Sequence, residues 1–114
     1  MVLEAEMLSL SKEVWEKIAP PLKTMPRIES KQGGSSGCFY PDRYTVYYRW
    51  NVWNKLGLAG KRMLVIHELY HALGHHHKGM FLHAFDILTI ELYKKIYGED
   101  EEYQKMVEEV RKLI

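Results

Sequence analysis

Ala59-Gly60-Lys61-Arg62-Met63-Leu64-Val65-Ile66-His67-Glu68-Leu69-Tyr70-His71-Ala72-Leu73-Gly74 is the stretch that decides how this chain is read. Met63, Ile66, Leu69, Tyr70 and Leu73 recur at the three- and four-residue spacing of an amphipathic helix, and Gly74 is a natural stop just beyond it. The spacing predicts a helix over 59–73. His67 and His71 then lie four positions apart, one turn along the same face. Two imidazoles so placed can grip one zinc ion, at about 2.0–2.1 Å each. Glu68 follows the first of them. A carboxylate there can reach the same ion's water, take a proton from it during attack and pass it to a leaving group.

Outward from this helix, the preceding chain reads as a small sheet. Tyr44, Val46, Tyr48 and Trp50 alternate with Thr45, Tyr47, Arg49 and Asn51, and Cys38-Phe39-Tyr40 precedes them across Pro41-Asp42, so the two segments read as a hairpin. Residues 26–31 are expected to be a further strand. Gly33-Gly34-Ser35-Ser36-Gly37 lacks the spacing of a phosphate loop and reads as a turn or the mobile rim of a cleft. Residues 11–23 are expected to be helical, with Ser11 as N-cap and a break at Pro20-Pro21. Residues 1–10 read as a short helical turn or a mobile arm. Residues 52–60 read as a connection. Downstream, 80–97 is expected to be a helix closed by Gly98, and 100–114 another, with acids in its first turn and bases in its last. The resulting expectation is a single α+β domain over 1–114. It has an N-terminal helix, a small antiparallel or mixed sheet, the histidine-bearing helix, an antiparallel helix carrying Glu91, and a C-terminal helix over 99–114.

The chain has 114 residues, 46% hydrophobic and 27% charged, which suits one globular domain with one core. A net charge of +1, with Lys and Arg spread along the chain, gives no case for nucleic acid or an anionic membrane as partner. No apolar run approaches the 18 residues of a membrane span, and the acidic start does not read as a signal peptide. The lone Cys38 allows no intrachain disulfide and reads as structural; it points to a reducing, cytoplasmic location.

A hydrolytic zinc takes three protein ligands and leaves one position open. The string from His67 to His77, H-E-x-x-H-x-x-G-x-x-H, resembles the metzincin clan, where the glycine turns the chain so that the last histidine returns to the metal. That resemblance implies His77 as third ligand. Met80, three residues on, stands closer than the methionine turn of that clan. The second candidate is Glu91, twenty residues after His71 and flanked by Ile87, Leu88, Ile90 and Leu92. An acid in that company resembles the gluzincin clan, where a second, antiparallel helix supplies a glutamate to complete a His₂Glu site. In layout and length the whole chain resembles the minigluzincins, with the specific likeness confined to His67–Glu91.

The resemblance implies a zincin-like fold, Zn²⁺ held by His67, His71 and Glu91, and Glu68 as general base and acid. It implies a metallopeptidase acting on peptides or proteins, made as a latent zymogen whose terminal segment lies in the cleft; a homodimer is compatible with it. Two alternatives stay open. One is a metzincin-like peptidase using His77. The other is a metal-dependent RNA hydrolase, similar to a bacterial rRNA-maturation family that uses H-x-x-x-H-x-x-G-x-x-H but carries glycine where this chain has Glu68. By residue type, Tyr47, Tyr93, His83 and Arg49 are candidates to stabilise an oxyanion, and Asp86 to orient a metal-bound imidazole. His75 and His76 are expected on an exposed loop. Residues 44–51 are expected to be either an edge strand near the cleft that binds an extended peptide by addition to the sheet or an ordinary core strand.

Overall fold

A computed structural model describes residues 2–34, 36–74 and 87–113, with side chains described over 4–34, 36–74 and 89–108. Along the chain it runs α1 (Val2–Ile18), β1 (Arg27–Lys31), β2 (Gly37–Tyr40), β3 (Thr45–Arg49), α2 (Trp50–Trp53), α3 (Leu58–Ala72), α4 (Ile87–Tyr97) and α5 (Glu101–Leu113). Among the described residues, five helices and a three-stranded mixed sheet make an α+β fold, as the sequence pattern predicts.

The sheet order is β1-β3-β2, with β3 parallel to β1 and antiparallel to β2. The hairpin and the strand near 26–31 are therefore found where expected. The edge-strand role of 44–51 is not. β3 is the central strand, hydrogen-bonded on both sides, so it cannot take up a further strand; β2 and β1 are the edges. The alternation along β3 explains its place. Val46 and Tyr48 are fully buried and share one face of the sheet, and that face packs on the helices.

The N-terminal segment is one helix rather than a turn or arm followed by a second helix. Met7, Leu10, Val14 and Trp15 are buried at helical spacing, which carries the helical stripe back to Met7. Ser11 lies mid-helix, fully buried, with its hydroxyl 3.3 Å from the Tyr48 hydroxyl; it bridges α1 to the sheet instead of capping. The stretch read as a connection holds the single-turn α2, whose Trp53 is buried 5.2 Å from Tyr48, ring to ring. Trp53 donates to Glu6, which also accepts from Lys61, each at 2.6 Å.

The helix α3 sits at the centre. It packs on α1, β2, β3, α4 and α5, which is why its burial goes all the way round. Met63, Leu64, Val65, Ile66 and Leu69 are each 2% exposed or less, and side chains of this kind contribute about 1.5–3 kcal/mol each when buried. Gly74, at φ +91°, ends the helix in a conformation that non-glycine residues rarely adopt, with its N–H on the His71 carbonyl. Gly98, at φ +77°, ends α4 in the same way. Asp100 then caps α5 by accepting from the Tyr103 N–H at 2.7 Å, and accepts from Arg62 of α3 at 3.3 Å. Arg62 also donates to Tyr93 at 3.0 Å and lies 4.1 Å from the Tyr97 ring centre. The end of α4 thus lies against the start of α3, as expected of antiparallel neighbours. Among the described residues no helix is long and apolar enough to cross a membrane. His75, His76, His77, Met80, His83 and Asp86 lie outside the described residues.

Candidate metal centre

The second half of α3 brings His67, Glu68 and His71 together. One ligand-type atom from each, a ring nitrogen or carboxylate oxygen, lies within 4.8 Å of the others. The helix repeat does this by itself: residues four apart stack on one face, and the residue after the first lies beside it. The two Nε2 atoms are 3.0 Å apart and the rings meet edge to face, 4.6 Å between centres. Tetrahedral ligands at about 2.0–2.1 Å from a zinc ion stand about 3.3–3.4 Å apart. The pair would have to part by only a few tenths of an ångström to share one. Imidazole nitrogens are ordinary zinc ligands, so the two histidines and their spacing fit the ion.

Burial sets the electrostatics. His67 and Glu68 are each 5% exposed, while His71 is half-buried and forms the open side. Burial pushes the Glu68 carboxyl up from its ordinary 4.5 to about 7, and the Lys31 ammonium pulls the other way. A group poised near neutrality can both accept and return a proton at working pH, which is what general acid–base chemistry asks of it. Its neighbour across the helix–sheet boundary is the backbone of Gly37, the first residue of β2.

The other predicted residues fall elsewhere. Glu91 is exposed. The buried positions of α4 include Thr89 and Tyr93, each two residues from Glu91 and therefore on the opposite side of the helix. Among the described residues Glu91 is not part of the His67–Glu68–His71 group. Tyr93 is buried, with its hydroxyl held by Arg62 near the start of α3 and by Asp100 just before α5. Tyr47 stacks edge-on against Tyr40, 5.3 Å between centres, on the sheet face that points away from the helices. Arg49 donates to the Gly34 carbonyl at 3.2 Å and so pins the glycine-rich turn. Cys38 is a free, half-buried thiol.

Gly37, the neighbour of Glu68 on β2, carries no motif; its approach to Glu68 comes from the packing of α3 on β2. No known protein family, curated protein or solved structure matches this chain.

Proposed function

We propose that this protein is a zinc-dependent metallopeptidase. The observation that carries the reading is the burial of Glu68 beside two imidazoles at metal-sharing distance. A buried carboxyl is expensive unless something uses it, and a general acid–base role uses a carboxyl raised toward 7. When bound, zinc acidifies a water and polarises a carbonyl. His67 and His71 hold the ion. Glu68 takes the attacking water's proton on its carboxylate and returns it to the amine that leaves. The edge strand β2 begins at Gly37 against Glu68, so a peptide laid along β2 as an added strand passes the acid–base group. This gives the site a substrate class, an extended peptide. The RNA-hydrolase alternative has no part for Glu68 to play.

The third protein ligand is Glu91 or His77. The exposed position of Glu91, opposite Thr89 and Tyr93, favours His77. Latency is proposed as well, but its device is not α5 as a whole. Met106 is buried and Tyr103 stacks on Tyr93, 6.0 Å between centres, so the first half of α5 belongs to the core.

Zinc content of folded, dialysed protein tests the reading. Wild type is expected to carry one zinc per chain, His67→Ala and His71→Ala none, and Glu68→Gln close to one. Loss in His77→Ala alone makes the site His₃; loss in Glu91→Ala alone makes it His₂Glu. A wild type that takes up no zinc overturns the proposal.

A further inference from the structure

We infer that Gly37 is a positioning residue for Glu68: the absence of a side chain at the start of β2 lets the carboxyl sit where it faces His67 and His71. A methyl at Gly37 would lie 2.8 Å from Glu68 Oε2, 2.9 Å from its Cγ and 3.1 Å from its Cδ. Contacts under 3.0 Å do not occur between real side-chain carbons and their neighbours, so something must move. The clash runs along the side chain from carboxylate to stem, so a swing of the carboxylate end does not relieve it. Either Glu68 changes rotamer or α3 and β2 separate, and α3 is packed on five elements.

The backbone gives no other reason for a glycine here. Gly37 lies in a regular strand, paired with Tyr48, and has no positive φ. A glycine within a strand weakens it by leaving more freedom in the unfolded chain and nothing to pack. Elsewhere the contrast is plain. Gly33 and Gly57 have open space where a Cβ would go, and at Gly60 the nearest atom, at 3.0 Å, is the far end of the Leu56 side chain. At Gly37 the neighbour is the buried acid of the candidate site. The catalytic consequence rests on the role proposed above for Glu68; the contact itself does not.

A double-mutant cycle of Gly37→Ala against Glu68→Ala tests the contact through thermal unfolding, with metal-free protein throughout. Gly37→Ala is expected to lower Tm by several degrees in the wild-type background, and to leave it unchanged or raise it slightly once Glu68 is Ala. Equal drops in both backgrounds would mean a strand effect only and would overturn the inference. Zinc content and peptide cleavage then read the consequence. Gly37→Ala is expected to keep wild-type zinc, because both histidines are untouched. Its kcat should fall about 100-fold, the order expected of an ångström-scale misplacement, with KM changed less than threefold. Wild-type kcat in folded Gly37→Ala, where Glu68→Gln is inactive, overturns positioning. If Glu68→Gln itself cleaves normally, the metallopeptidase reading fails, and the Tm cycle alone judges the contact.

Discussion

The two halves of α3 treat an acid in opposite ways, one at the surface and one in the core. Beside its first turns, Glu6 accepts hydrogen bonds from Lys61 and Trp53, and these hold its carboxyl below the ordinary range. Two turns further on, Glu68 is enclosed by the core and its carboxyl is pushed up to about 7. Arg62, Tyr93 and Asp100 extend the first pattern into a network that ties α3 to α4 and α5. The difference separates an acid tied to the surface by donors from an acid raised by burial in the core. Donors are supplied in quantity at one end of the helix. At the other the acid is set among two imidazoles and a bare glycine.

The largest expected effect lies at the reactive end. Glu68→Gln keeps the shape and removes the proton carrier, so cleavage of a denatured protein substrate should fall by about 10²–10⁴-fold with zinc retained. A Gln variant cleaving at the wild-type rate would put the two glutamates on the same footing and end the comparison.

The pH dependence of stability sharpens it. An acid raised on folding, from 4.5 to about 7, is favoured by the native state only while protonated. Between those values the native form binds more protons than the unfolded one, so stability falls as pH rises through this window. At 1.36 kcal/mol per pH unit the full loss is at most about 3 kcal/mol. Metal-free Glu68→Gln should therefore be more stable than wild type at pH 8, with the gain gone by pH 4.5. Denaturant unfolding at the two pH values checks this. A gain independent of pH would mean that the carboxyl is not held protonated.

Glu6 should run the opposite way, and more weakly. Its pKa is lowered, so what it contributes is present at neutral pH and lost as pH falls through the folded value. The carboxylate is half-exposed, so Glu6→Gln should cost only about 1 kcal/mol and leave zinc and cleavage unchanged. Chemical denaturation at pH 7 and pH 3 measures it; a change in zinc content would show that the two ends of α3 are not independent.

Much of this layout was legible because it repeats along the chain. The alternation of Val46 and Tyr48 gave the strand, and Met63, Ile66 and Leu69 gave α3. The glycines at 74 and 98 gave the helix ends. What was misread depended on partners far away in sequence. Ser11 looks like a cap until Tyr48, 37 residues on, is placed beside it. Residues 44–51 look like an edge strand until β1 pairs in parallel on the far side. Glu91 looks buried among apolar neighbours, but a helix buries a stripe, and Thr89 and Tyr93 hold the stripe.

The sequence by itself determined the triplet His67, Glu68 and His71, because the pitch of a helix makes neighbours of residues three and four apart, as Glu68 and His67 are from His71, whatever surrounds it. It also determined the α+β order of elements. Only the tertiary structure decided that Glu68 is enclosed, that Gly37 stands against it, and that Glu91 is exposed. Those depend on how α3 packs against β2 and α4, and packing between distant segments leaves no periodic trace in the chain.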